Sequence, residues 1–491
     1  MTAPQPPDAP AAQGSLDRRI VRGSSWLALS YGGSQVVALV VTAVLARFVA
    51  PSAFGLIALA SVALVALNLL QESGLTFAMI HRRPDVERSA GTAFVFTLVT
   101  AILLCIVGFA AAPLVSRLFG LPGLTNVLRV LLLMLPIRAL GMTSGGLIER
   151  ELQYGNRAKG ELGGTAAQAC TAIPLAVLGL GVWSLVAGQL VGQLVQSVVF
   201  WLIAPFRPSP RQASWSVFRE LARYGRHLTA ANLVAFVDGN IDTAVVGRLL
   251  GAAELGYYNL AWRLSNLPAT GIGYIIGRAM FPAYSTIRED QAVFRETFMT
   301  NVRRVALVSM PVAVGILVAA EPIVVGIFGR RWEPAVTPLR ILAVYGLIRS
   351  FSSTTGPVIQ AAGRPQLIFV INVWHTVVIA VALVLLTPPF GLAGVATAQV
   401  AAAVASLVPA CYWALRILDL RLSDLLADIG RPATCSLPVA AVVAGVVSTT
   451  GGIEVTLQLA VAVLAGIVAY VIGVLAFARG EVRAVATAFR A

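Results

Sequence analysis

Five charged side chains interrupt stretches that are otherwise apolar: Arg138, Asp238, Asp242, Arg263 and Arg349. A guanidinium stays charged at any physiological pH and grips phosphate oxygens through two parallel hydrogen bonds. Near mid-membrane a charge costs about 2.5 kcal/mol or more, so it is retained against a partner or beside a wet cavity. Arg138 and Arg349 read as an anion site, since no acidic residue of obvious matching depth accompanies them apart from the two aspartates. Asp242 and Arg263 fall on consecutive apolar stretches at comparable depth and suit a structural ion pair equally well. Glu72 suits a coupling cation or a pair with Arg278. His375, alone in its apolar stretch, has the chemistry of a proton shuttle, although a packed polar residue is the commoner outcome. Trp26, Tyr31, Gln35, Asn68 and Gln189, with Gln71, Trp183 and Gln193, offer the amides and ring faces that hold sugars. The same residues also serve as polar glue between membrane helices.

Catalysis has less to stand on. No metal-ligand cluster, no Gly-rich phosphate loop beside a strand and no paired carboxylates in a soluble domain occur in the sequence, so neither metal nor cofactor is expected. The four cysteines lie far apart inside apolar stretches and read as packing residues.

The elements that carry these residues follow from composition. Of 491 residues, 58% are hydrophobic and 12% charged, with a mean hydropathy of +0.83, where a soluble domain carries about 25% charged residues. Lipid must be the main solvent, and it admits only helices or closed barrels. The apolar runs do not alternate as barrel strands do, and most are long enough to cross roughly 30 Å as helices. The expected fold is an all-α polytopic membrane protein of about 14 transmembrane helices. Expected spans are 23–48, 54–77, 91–118, 124–148, 161–180 and 183–204, then 227–250, 255–281, 305–328, 336–361, 367–386 and 392–415, then 435–447 and 455–477. These give a tail (1–22), an N-lobe (23–205), a cytoplasmic linker (206–226), a C-lobe (227–417), a terminal pair (418–478) and a second tail (479–491). On this reading Arg138 lies about 14 residues from the outer end of its span, roughly 20 Å in, and Arg349 is similarly deep. Arg129 and Arg340 are shallow enough to snorkel.

Orientation follows from the basic residues. Of the 36 Lys and Arg residues, 25 fall on one side of these spans, and only Arg47, Arg117, Arg248, Arg330 and Arg331 fall on the other. The positive-inside rule then assigns both termini to the cytoplasm. The net charge of +14 is a topology signal, with some attraction to anionic inner-leaflet lipids, rather than a nucleic-acid footprint.

The chain also repeats itself. Thr42–Gly55 aligns with Thr243–Gly256, and Leu128-Arg129, Ile137-Arg138, Thr143 and Gly145 recur as Leu339-Arg340, Ile348-Arg349, Thr354 and Gly356. Pro113, Phe119 and Gly120 recur as Pro322, Phe328 and Gly329, and Gln189 as Gln399. A repeat of six spans gives two similar lobes of the same orientation, a plan in which transporters bind cargo between the repeats.

The segment Asn240–Pro268 resembles polysaccharide exporters of the Wzx and colanic-acid-exporter type, with support from Leu45–Gly55, Glu149–Tyr154, Gly181–Ala187 and Arg219–Gly225. The likeness runs from about residue 18 to 420. It implies membership of the superfamily that includes multidrug and toxin extrusion transporters and lipid II flippases. It further implies two six-helix lobes with alternating access, and a cargo of undecaprenyl-pyrophosphate-linked oligosaccharide moved across the bacterial inner membrane. Lipid II flippases carry an arginine in the eighth helix, a role Arg263 matches, but Ser24-Ser25-Trp26 brings no charge into the first helix here. The expected partners are the lipid-linked oligosaccharide, membrane lipids and other polysaccharide assembly proteins. A cation-extruding antiporter of the same superfamily is the alternative. It calls for a net acidic cavity, whereas the deep charges are three Arg to two Asp. A membrane polymerase or ligase calls for a long outer loop, which the sequence lacks.

Overall fold

The computed structural model describes residues 33, 37–72, 86–205, 207–267, 280–450 and 454–477. All the regular structure among them is helical. Eight helices there are long and apolar enough to cross a membrane, so the chain is a multi-pass helical membrane protein. Two compact units divide it, Met1–Ala244 and Val245–Ala491.

The first unit holds α1 (Val37–Phe48), α2 (Pro51–Glu72), α3 (Val86–Phe119), α4 (Leu124–Leu131), α5 (Met134–Arg150), α6 (Tyr154–Val177) and α7 (Val182–Ile203). It ends with a 3-10 turn, Pro210–Gln212, and most of α8 (Trp215–Leu249). Helices α4 and α5 together occupy the single span expected over 124–148. Pro136, which brings no N–H to the first turn of α5, accounts for the break. Helices α6 and α7 touch backbone to backbone. A Cβ on Gly192 would stand 2.8 Å from the carbonyl oxygen of Gly164, and one on Gly188 2.7 Å from the Cβ of Ala172. Small residues at such spacing let membrane helices pack by dispersion where no hydrophobic drive exists.

The second unit holds α9 (Ala252–Ser265), α10 (Gln291–Val318), α11 (Val336–Ala361), α12 (Pro365–Leu418), α13 (Leu422–Thr449) and α14 (Val455–Phe477). Helix α12 is two spans joined at Gly391, whose φ of 55° and ψ of −132° are non-helical. Between α10 and α11 the chain runs through Ala320–Ile323, a π-turn at Val324–Phe328 and a 3-10 turn at Arg330–Ala335. At the end of the unit where α10 and α13 begin, Tyr284, Phe294, Phe298, Val302, Val358, Leu418 and Leu425 form one core. Burial pushes the Tyr284 phenol up to about 12, against the opposing hydrogen bond from Asn301.

The terminal pair is anchored by polar contacts. Arg303 on α10 donates from Nη2 to both carboxylate oxygens of Asp428 on α13, at 2.7 Å each. Tyr470 on α14 donates to the Leu307 carbonyl at 2.7 Å.

The internal repeat recurs in the backbone. Positive-φ residues fall at Gly120 and Gly329, at Gly181 and Gly391, and at Leu152 and Gly363, spaced by 209, 210 and 211 residues. Each pair ends or joins corresponding helices. Two differences from the sequence reading stand out. The continuous α11 answers the broken α4–α5, with Leu347 where the first copy has Pro136. The polar stretch assigned to a linker is also helical from Trp215 onward, continuous with the seventh expected span.

Candidate functional site

In the first unit, Arg138 is half-buried on α5, one turn beyond Leu135. The Leu135 carbonyl accepts from Gln71 Nε2 at 3.4 Å. Gln71 is 1% exposed, and its Oε1, like Oδ1 of half-buried Asn68 one turn earlier on α2, is buried without a hydrogen-bond partner. Of the two, Gln71 touches the arginine-bearing helix, and an unmet buried acceptor costs about 1–3 kcal/mol. Arg138 sits close to the crossing of α5 with α7. There a Cβ on Gly141 would stand 2.6 Å from Ser197 Cα, and Ser197 Oγ donates to the Ile137 carbonyl at 2.9 Å. Gln189 is half-buried on α7. On α8, Asp238 is half-buried and Asp242 buried. Asp242 Oδ1 accepts from the Thr243 N–H at 2.6 Å.

In the second unit, Arg263 on α9 and Arg349 on α11 are both exposed. Their helices meet at backbone contact, since a Cβ on Gly346 would stand 2.0 Å from the Ser265 carbonyl oxygen. Arg349 lies one turn from that crossing and Arg263 two residues from it. Arg349 Nη1 donates to Tyr345 Oη at 2.7 Å, with the guanidinium 5.9 Å from the ring centroid. Gln399, the repeat counterpart of Gln189, donates to Tyr258 Oη at 3.2 Å in the buried interior. His375 is half-buried on α12.

The remaining expected residues divide clearly. Trp26, Tyr31, Gln35 and Arg278 lie outside the described residues, and Glu72 ends α2 with its side chain undescribed. Asp242 belongs to the first unit and Arg263 to the second. The shallow pair Arg129 and Arg340 is satisfied locally. Arg129 stacks 4.5 Å over the Phe109 ring, and Arg340 lies 3.8 Å from Glu321. No group of three His, Cys, Asp or Glu able to hold a metal ion occurs among the described residues.

The motif Glu149–Tyr154 forms a tight turn at the end of α5, tied by Arg157 to Glu149 and, at 3.0 Å, to Glu161. Burial alone would lower the Arg157 pKa, but the hydrogen bonds and charges of Glu161 and Glu149 outweigh it and the net shift is upward. Two features escaped the sequence reading. Tyr345 stands four residues before Arg349, a helical spacing that could have revealed the contact. Arg303 and Asp428 are separated by 125 residues, and no local spacing rule pairs them.

Comparison with known proteins follows the same outline. The lipopolysaccharide biosynthesis protein WzxC of Escherichia coli is 27% identical over 378 residues, 76% of either chain. The teichuronic acid biosynthesis protein TuaB of Bacillus subtilis is 23% identical over 93% of this chain and 95% of its own. The succinoglycan biosynthesis transport protein ExoT of Rhizobium meliloti is 25% identical, covering 74% and 73%. Among solved structures, an inward closed lipid II flippase MurJ superposes with a TM-score of 0.73 over 92% of this chain and 99% of its own, at 14% identity. An inward-facing multidrug resistance MATE transporter of the MOP superfamily gives 0.63 over 80% and 96%, at 18% identity. At such identities the likeness is one of fold. The family described as "Polysaccharide biosynthesis protein" matches residues 44–337, more than half of the sequence, and the chain belongs to that family.

Proposed function

We propose that this chain is a flippase that moves undecaprenyl-pyrophosphate-linked oligosaccharide across the bacterial inner membrane by alternating access. In this reading the first six spans form an N-lobe and the next six a C-lobe, with both termini cytoplasmic. The single observation that carries it is the pair Arg138 and Arg349. They occupy repeat-equivalent positions, Arg138 about one turn into α5 and Arg349 nearly four turns into α11, each near a backbone-close crossing. A guanidinium from each repeat suits the two phosphates of the headgroup, while the polyprenyl tail stays in the bilayer. Arg263, beside the Arg349 crossing, adds a third positive charge. Asp238, Asp242 and Glu72 supply coupling or counter-charge, and Asn68 and Gln189, with Trp26, Tyr31 and Gln35, line the sugar path. The protein solvates its cargo and breaks no bond in it, so an enzyme's constellation is not needed.

The relatives' names support a glycan cargo: one is a succinoglycan transport protein, and another, from Shigella flexneri, a putative O-antigen transporter. The test is Arg138→Ala combined with Arg349→Ala in a cell whose surface glycan depends on this protein. Export should stop while the protein remains in the membrane. Undiminished glycan display would refute the anion-site assignment.

A further inference from the structure

A cavity of about 690 Å³ in the first unit is lined by Val86, Glu87 and Arg88 of α3, by Arg211 and Gln212 of the 3-10 turn and by Ala213 just after it. Its walls are joined across more than 120 residues of chain. Arg88 Nη2 donates to Ser214 Oγ at 3.2 Å, Gln212 Nε2 to the Glu87 carboxylate at 3.3 Å, and the Ser214 N–H to Thr92 Oγ1 at 3.1 Å. The turn also presses on the helix itself, for a Cβ on Gly91 would stand 2.4 Å from the Ser209 carbonyl oxygen. One arginine therefore lines the cavity from each wall. With Glu87 held by Gln212, the lining keeps one net positive charge.

The surroundings fix its level. Two turns further along α3, Phe96 stacks on Phe218 with centroids 4.0 Å apart, and Trp215 lies 5.0 Å from Phe218. Trp215 is 60% exposed. Indole rings with one open face collect at headgroup depth, and arginines just beyond them reach phosphate depth.

We propose that this cavity is a phosphate site for a phospholipid headgroup, with Arg88 and Arg211 on the phosphate oxygens and the Trp215–Phe218–Phe96 stack against the glycerol and upper acyl chain. The chemistry recognised is a phosphate group, which a soluble phosphate also carries. The exposed aromatic flank assigns it to lipid.

The test is native mass spectrometry of the full-length protein in detergent, titrated with phosphatidylglycerol and separately with inorganic phosphate, for the unaltered protein and for Arg88→Gln with Arg211→Gln. Lipid affinity should fall about tenfold or more on losing two charge-assisted contacts, and Arg88→Lys with Arg211→Lys should keep most of it. Arg211 takes no part in the tethers above, so Arg211→Gln alone leaves the scaffold intact and should still weaken lipid binding. With Trp215 kept as the sole tryptophan, its quenching by lipid brominated near the glycerol should fall in step in Arg211→Gln, whose scaffold is intact. Equal lipid binding by all variants would overturn the site. Inorganic phosphate that saturates the site and displaces the lipid at equal concentration would overturn the lipid assignment.

Discussion

Asp428→Ala removes the carboxylate whose two oxygens Arg303 Nη2 binds across α10 and α13. Breaking a fully buried pair costs about 3–5 kcal/mol, and an exposed one about 0.2–1 kcal/mol. Here the two side chains are 26% and 20% exposed, which sets the expected cost at about 2 kcal/mol. The loss acts locally, on the docking of the terminal pair, and Cys435 reports it. That thiol is fully buried on α13, packs against Leu307 of α10 and donates to the Gly473 carbonyl of α14 at 3.6 Å. In a protein stripped of Cys105, Cys170 and Cys411, membrane-permeant maleimide reaches Cys435 only when α13 separates from its partners. A 2 kcal/mol loss should speed labelling by roughly thirtyfold. Arg303→Ala should do the same, and the double variant should cost less than the two effects added. Unchanged labelling rates in both single variants would refute the claim that this ion pair holds the terminal helices.

Leu152 occupies a left-handed turn that Gly363 occupies in the second repeat. Leu152→Gly should therefore stabilise the protein by about 1 kcal/mol and Gly363→Leu destabilise it by a similar amount, read from thermal unfolding in detergent. Gly192→Leu forces α6 and α7 apart at a 2.8 Å approach. Overpacking of about 1–3 kcal/mol or more should appear as loss of folded protein in size-exclusion profiles, whereas Gly315→Ala, with nothing within 4 Å, should leave those profiles unaltered. Ala213→Cys should resist an impermeant thiol reagent in intact cells and react after permeabilisation, and labelling without permeabilisation would invert the topology.

Much of the scaffold was legible because unbroken apolar runs admit only one backbone in lipid. The tenth and fourteenth expected spans coincide with α11 and α14 at both ends. The helical start at Trp215 was not legible, because hydropathy marks where lipid ends and carries no signal for a helix that continues into water. Repeat-matched Gly391 and Gly181 were visible as glycines, but their shared turn geometry emerged only from the backbone. The arginines that interrupt apolar stretches could be located from hydropathy alone. Tyr345, which orients Arg349, was within reach of the i, i+4 rule, whereas the open oxygens of Asn68 and Gln71 depend on which neighbours tertiary packing brings to α2.

Translocation itself gives the most direct measurement. Purified protein in liposomes, supplied on one side with fluorescent undecaprenyl-pyrophosphate-linked oligosaccharide, should move the glycan to the opposite leaflet, where an added glycosidase cleaves it. Arg138→Ala with Arg349→Ala should reduce that movement to the rate of empty liposomes. Glycan that stays on its original leaflet with the unaltered protein, while a cationic dye is carried across, would contradict the account and point to the antiporter.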